Sequence, residues 1–154
     1  YICLVGDMEN MYNRAKRAKM LEEVRNSDDP EAKKLLVTLH CDLYPMSPIV
    51  AFTASGRRFL DYRSVEGGQQ GATSAVVGVP LACKEGFRRA RTLLEETSDG
   101  SLRAGVDDFI MYGPASAVYA ALDTLREVLR EAGLGQDGLH AWVYLPRWGY
   151  GKYV

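Results

Sequence analysis

Apolar and polar positions change period several times along the chain, and each change marks an element. Residues 1–6, Tyr-Ile-Cys-Leu-Val-Gly, form a short apolar run rich in strand formers, followed by Asp7. Such a run predicts a buried strand that presents a carboxylate at its C-terminal end. From Asn13 to Arg25 the pattern turns basic and amphipathic, with Ala15, Ala18, Leu21 and Val24 on one face at helical spacing. Asp29 is a natural N-cap, Pro30 suits the first helical position and Glu31 favours the positive end of the helix dipole. A second helix is therefore expected from there to about Tyr44, with Leu35, Leu36, Leu39 and Leu43 as its apolar side.

Pro45 to Pro48 breaks the chain, and two strand-like runs, Ile49 to Thr53 and Arg58 to Tyr62, flank a hairpin signal at Ala54-Ser55-Gly56-Arg57. A glycine-glutamine loop, residues 67–71, leads into a long helical stretch from about Thr73 to Glu96, in which Pro80 predicts a kink or a split. Ser101 to Val106 and Phe109 to Tyr112 read as a second hairpin around Asp107 and Asp108. Gly113 to Ser116 turns into a helix whose apolar face is Val118, Leu122, Leu125 and Leu129, closed by Gly133. The tail from Leu139 is aromatic, with Trp142, Tyr144, Trp148, Tyr150 and Tyr153. No repeat, low-complexity block or linker interrupts this order. The sequence β-α-α-β-β-α-β-β-α-β predicts one domain over residues 1–154, of α+β type.

Charge narrows the partners. Nineteen Lys and Arg against 20 Asp and Glu leave a formal net charge of −1, which argues against a protein that coats nucleic acid through bulk positive charge. Two local basic clusters, Arg14, Lys16, Arg17 and Lys19, then Lys84, Arg88, Arg89 and Arg91, read as solvated helix faces because glutamates are interspersed nearby. The longest apolar run, Ala75 to Cys83, is interrupted by Gly78 and Pro80 and is too short to span a bilayer. No secretory leader is recognisable at the start, and a first residue Tyr1 rather than Met leads us to expect a processed product or part of something longer. Three widely spaced cysteines without a CxxC pattern predict no disulfide framework and an intracellular, reducing compartment. Cys3, His40, Cys41, Cys83 and His140 match no zinc-finger spacing, and the glycine-glutamine loop lacks the lysine of a P-loop.

The candidate chemistry lies in the aspartates. Asp7 ends an apolar strand, while Asp107 and Asp108 sit at the tip of an apolar hairpin. Adjacent carboxylates repel unless a cation neutralises them, and hard oxygen ligands in this number suit Mg²⁺ or Mn²⁺. Two such ions would stabilise both the attacking and the leaving oxygen of a phosphoryl transfer.

Four blocks in order give the chain a recognisable likeness. Residues 7–13, Asp-Met-Glu-Asn-Met-Tyr-Asn, resemble the Asp-x-x-Asn-Ala-Phe-Asn block of reverse transcriptases of LINE-type, non-LTR retrotransposons. Residues 66–71, Glu-Gly-Gly-Gln-Gln-Gly, are similar to that family's Glu-Gly-Val-Gln-Gln-Gly; residues 105–108, Gly-Val-Asp-Asp, to its Tyr-x-Asp-Asp hairpin. The stretch from Gly133 to Pro146 is similar to its Gly-Leu-x-Leu-Asn-x-x-Lys-Cys block. The resemblance implies a polymerase palm, an antiparallel sheet backed by helices, with an ancestral RNA-directed DNA polymerase activity. It implies Asp7, Asp107 and Asp108 as catalytic residues at a Mg²⁺ or Mn²⁺ site, with Asp7 and Asp107 as the main metal ligands and Asp108 assisting, Tyr12 as the side chain that screens the incoming sugar, and Gln70 and Gly71 as the nucleotide-side loop. His140 aligns with a lysine that would protonate pyrophosphate.

The chain departs from the family pattern at Gly105, at Met11, at His140 and at Ala72-Thr73-Ser74. Counterparts of fingers and thumb are not found among the 154 residues. A second reading therefore stands beside the first: a domesticated, inactive palm fragment kept as a structural subunit, joined to other protein subunits through its aromatic tail. Under either reading the isolated chain is expected not to extend a primer.

Overall fold

The structure, a computed structural model, describes residues 1–43, 49–52, 55–56, 58–62, 66–68, 73–97, 99–134, 139–145 and 149–150. Its elements are β1 (Ile2–Met8), α1 (Met11–Arg14), α2 (Arg17–Asn26), α3 (Pro30–Leu43), β2 (Ile49–Phe52), β3 (Arg58–Tyr62), α4 (Thr73–Glu95), β4 (Ser101–Ala104), β5 (Asp108–Gly113), α5 (Ala115–Glu131), β6 (Leu139–Leu145) and β7 (Gly149–Tyr150). Strands β2 and β3 pair as a separate hairpin. The other five form one antiparallel sheet in the order β4-β5-β1-β6-β7. The α+β architecture expected from the sequence is the one observed.

Strand β1 lies at the centre, and its alternation sorts the whole sheet into two faces. Ile2, Leu4, Gly6 and Met8 are buried, while Cys3, Val5 and Asp7 between them are half-buried. Directly paired residues of an antiparallel ladder share a face. The buried face therefore continues through Phe109 and Met111 of β5 and through Leu139, Ala141 and Val143 of β6. Helices α4 and α5 pack on each other and complete this core with Val79, Ala82, Leu94, Val118, Leu122, Leu125 and Leu129. A T-shaped contact between Phe87 of α4 and Phe109, with centroids 5.9 Å apart, ties helix to sheet.

Four local expectations change. Strand β1 runs through Asp7 to Met8 instead of ending at Gly6, so the carboxylate stands inside the ladder. The predicted helix over 13–25 breaks between α1 and α2 because the peptide groups there are committed elsewhere: the Lys16 N–H donates to the Ala132 carbonyl at 2.9 Å, and the Ala15 carbonyl accepts from Gly67 at 3.0 Å. Pro80 does not split α4, whose 23 residues run from Thr73 to Glu95; its missing N–H forfeits a bond to the preceding turn. The second hairpin keeps its place, but β4 stops at Ala104 and β5 begins at Asp108 itself.

Two predictions follow from this packing. A Cβ at Gly6 would overlap the ring of its ladder partner Phe109, which is fully buried and has nowhere to move. Gly6→Ala is expected to destabilise the domain by about 1–3 kcal/mol, read as a lower urea midpoint; an unchanged midpoint contradicts the close approach. Cys3 and Cys83 are free thiols, and burial pushes the Cys83 thiol up to about 12. Only about one Cys83 in ten thousand is then thiolate at pH 8. Alkylation mapped by mass spectrometry should label half-exposed Cys3 well before Cys83, and the reverse order would contradict the core assignment.

Candidate active site

The register that buries the lower face determines what meets on the upper one. Asp7 is paired with Asp108 across the β1–β5 ladder and with His140 across the β1–β6 ladder. All three side chains therefore rise from neighbouring positions on the same open face. For directly opposed residues the Cβ atoms are about 4.5–5.5 Å apart, and like charges so placed destabilise the sheet. A fold gains nothing structural from opposing Asp7 to Asp108.

Asp107 comes immediately before Asp108, exposed in the turn between β4 and β5. Its carbonyl accepts a hydrogen bond from the Met8 N–H at 3.0 Å, and the Gly105 N–H donates to the Asp108 carbonyl at 2.7 Å. These two bonds close the hairpin and hold its tip against the end of β1. Among the described residues no group of three or more His, Cys, Asp or Glu side chains is arranged to cage a metal ion. What the register brings together is a pair of carboxylates with a third at the adjoining turn. Mg²⁺ is commonly held by one or two carboxylates, with substrate phosphates and water filling its shell, so this donor set suits it.

His140 is exposed and its Nε2 lies 3.2 Å from the Glu9 carboxylate, with the Trp142 ring tilted alongside at 6.4 Å. Glu9 was not singled out in the sequence; it belongs to the first block, but only the β1–β6 pairing brings it to His140. Tyr12, in the short helix directly after β1, is half-buried and packs on the core. Gln70 and Gly71 lie outside the described residues. The beginning of their loop is described: Gly68 donates to the Tyr12 carbonyl at 2.7 Å and Gly67 to that of Ala15. Gly67 has a positive φ of 76°, and a Cβ there would overlap the backbone of Asn13.

The loop is fastened by a residue that the sequence misassigns. Arg17, expected on a solvated basic face, is only 5% exposed. Its Nε donates to the Gly67 carbonyl at 2.8 Å and its guanidinium NH₂ to the Glu66 carbonyl at 3.2 Å; its backbone N–H donates to a Glu66 carboxylate oxygen at 3.1 Å. That carboxylate sits at the N-terminus of α2, where the helix dipole favours negative charge. The rest of the basic clusters behaves as expected. Lys19 bonds Glu22 and Glu23, and Arg88 and Arg89 clasp Glu85, holding its carboxyl at about 2. Of the aromatic tail, Trp142 and Tyr144 are half-buried on β6, whereas Trp148 and Tyr153 lie outside the described residues.

The antiparallel sheet backed by two long helices is a fold shared with solved telomerase structures. Solved structures with this fold include apo telomerase from Candida tropicalis, which superposes with a TM-score of 0.72 at 15% identity over 97% of this chain and 29% of that one. Telomerase from Candida albicans, solved with a TWJ fragment of telomeric RNA, gives 0.70 at 15% identity over 95% and 28%. A C. tropicalis telomerase truncated from its C-terminal domain gives 0.67 at 16% identity over 96% and 31%. The chain thus spans under a third of the length of these structures. No protein-family model and no curated protein matches it.

The Arg17 fastening makes a prediction of its own. Arg17→Met strands the buried Gly67 carbonyl, and unfolding in urea should show a loss of about 1–3 kcal/mol. Arg17→Lys keeps the charge without the planar fork and should fall between the two. A neutral Arg17→Met would contradict the role given to these bonds.

Proposed function

We propose that this chain is the palm of a reverse-transcriptase-like enzyme of retrotransposon descent that adds deoxynucleotides to a primer along an RNA template. The observation that carries the reading is the pairing of Asp7 with Asp108 on the open face of a polymerase-type sheet. Two carboxylates opposed on adjacent strands make physical sense where a cation is to be held.

In this reading Asp7 and Asp108 offer carboxylate oxygens from two adjacent strands, and Asp107 stands beside them in the turn. Such hard donors fit Mg²⁺ or Mn²⁺. Bound there, the metal supplies positive charge where negative charge develops on the oxygens of a phosphoryl transfer. Tyr12 stands next to the site along the chain and screens the sugar of the incoming nucleotide. The loop that begins at Gly67 and continues to Gln70 and Gly71 starts beside Tyr12, on the side where that nucleotide would lie. Glu9 orients His140, which gives a proton to the departing pyrophosphate. The open face beyond the aspartates carries Ile110, Tyr112, Trp142 and Arg103, apolar and aromatic surface with a cation at its edge. Bases or sugars can rest on such a surface while phosphates meet the cation.

A thermal-shift titration tests the proposal. At a concentration of Mn²⁺ or Mg²⁺ about tenfold above its Kd, binding to the native state alone stabilises by about 1.4 kcal/mol. Asp108→Asn should abolish that rise. Without metal, the same substitution removes a like-charge pair and should leave the domain more stable by about 0.2–1 kcal/mol. Equal melting with and without metal, or a rise that survives Asp108→Asn, would overturn the assignment.

A further inference from the structure

A second concave surface lies away from the aspartate face, between α4 and the β4–β5 hairpin. Its volume is about 310 Å³. One wall carries Lys84, Arg88 and Arg91, which recur at i, i+4 and i+7 along α4 and are all exposed. Arg88 is shared with Glu85, whereas Lys84 and Arg91 have no ion pair among the described residues. The floor is apolar, made by half-buried Pro80 and Phe87. The opposite rim is Ala104, Gly105 and Val106, with Val106 42% exposed.

The rim is also the end of an edge strand. β4 is terminal in the sheet, and among the described residues no strand pairs with its outer side. An edge strand presents backbone donors and acceptors to any extended chain laid beside it. Three features thus converge: unpaired cations, an apolar floor, and a free strand edge.

The geometry points to this groove as the docking site for an acidic, extended peptide segment of a partner protein, which adds to the edge of β4. Its carboxylates meet Lys84, Arg88 and Arg91, and an apolar side chain sits on Pro80 and Phe87 between them. A nucleic-acid strand would satisfy the cations, but it carries no row of backbone amides to pair with a strand edge. The occupant touches Gly105 and Val106, one residue from Asp107, so docking bears on the turn that carries a candidate site residue. The groove does not depend on the catalytic proposal and stands or falls separately.

The test is a fluorescence-anisotropy titration of the 154-residue chain with a labelled peptide, Glu-Leu-Asp-Phe-Asp-Leu-Glu. Saturable binding is expected, weakened at least tenfold by the double substitution Lys84→Glu and Arg91→Glu. Val106→Asp, on the opposite rim, should weaken it as well. Lys33→Glu, on an exposed part of α3, should change it less than twofold. A peptide N-methylated at alternate backbone positions should lose at least tenfold in affinity, because methylation removes the ladder donors. Binding that is indifferent to the double substitution, or to N-methylation, overturns the proposal. So does an oligo-dT strand that binds more tightly than the peptide and is lost in the same double variant.

Discussion

The pairing of β1 with both β5 and β6 is the constraint on which everything else depends. Side chains alternate along a strand with a period of two, so a slip of one residue in either ladder would exchange the faces. The slip would bring Phe109 or Val143 out to water and turn Asp108 or His140 inward. Burial of Leu4, Phe109, Met111 and Val143 against α4 and α5 therefore fixes the register, and the register fixes what Asp7 faces. The core does not merely support the aspartates: its packing selects the one alignment in which they are opposed. Gly6 belongs to the same logic, since the ring of Phe109 occupies the space its side chain would take.

A second set of contacts joins the start of the glycine-glutamine loop to the segment after β1. The peptide groups of Ala15 and Lys16 leave the helical pattern to bond Gly67 and Ala132, and Arg17 locks Glu66 and Gly67 from within. Blocks separated by about fifty residues in the chain thus become one unit around Tyr12. Buried charged groups persist when their hydrogen bonds are supplied, and the Arg17 guanidinium is supplied by backbone carbonyls.

Much of the fold was legible in the chain because its signals are local. The apolar run of β1, the N-cap at Asp29 and the apolar face of α5 each depend on a few neighbouring residues. The two acidic positions were legible for the same reason, as carboxylates at the ends of apolar runs. What escaped was non-local. Arg17 sits among lysines and glutamates that do face water, and only its partners fifty residues away distinguish it. The break between α1 and α2 has no proline or glycine to announce it. Nor does the sequence say which hairpin aspartate stands opposite Asp7, because that is a property of the ladder. Pro80 signalled a kink or a split, and the helix is continuous through it.

The central claim is that opposed Asp7 and Asp108 form a metal site created by the sheet register. Paramagnetic broadening of backbone amide resonances by substoichiometric Mn²⁺ tests it most directly. The expected result is broadening centred on Asp7, Asp107, Asp108 and the adjacent Glu9 and His140, with little effect at other acidic clusters such as Glu22–Glu23 or Glu95–Glu96. Broadening centred on those surface clusters, with the resonances of Asp7 and Asp108 left sharp, would contradict it.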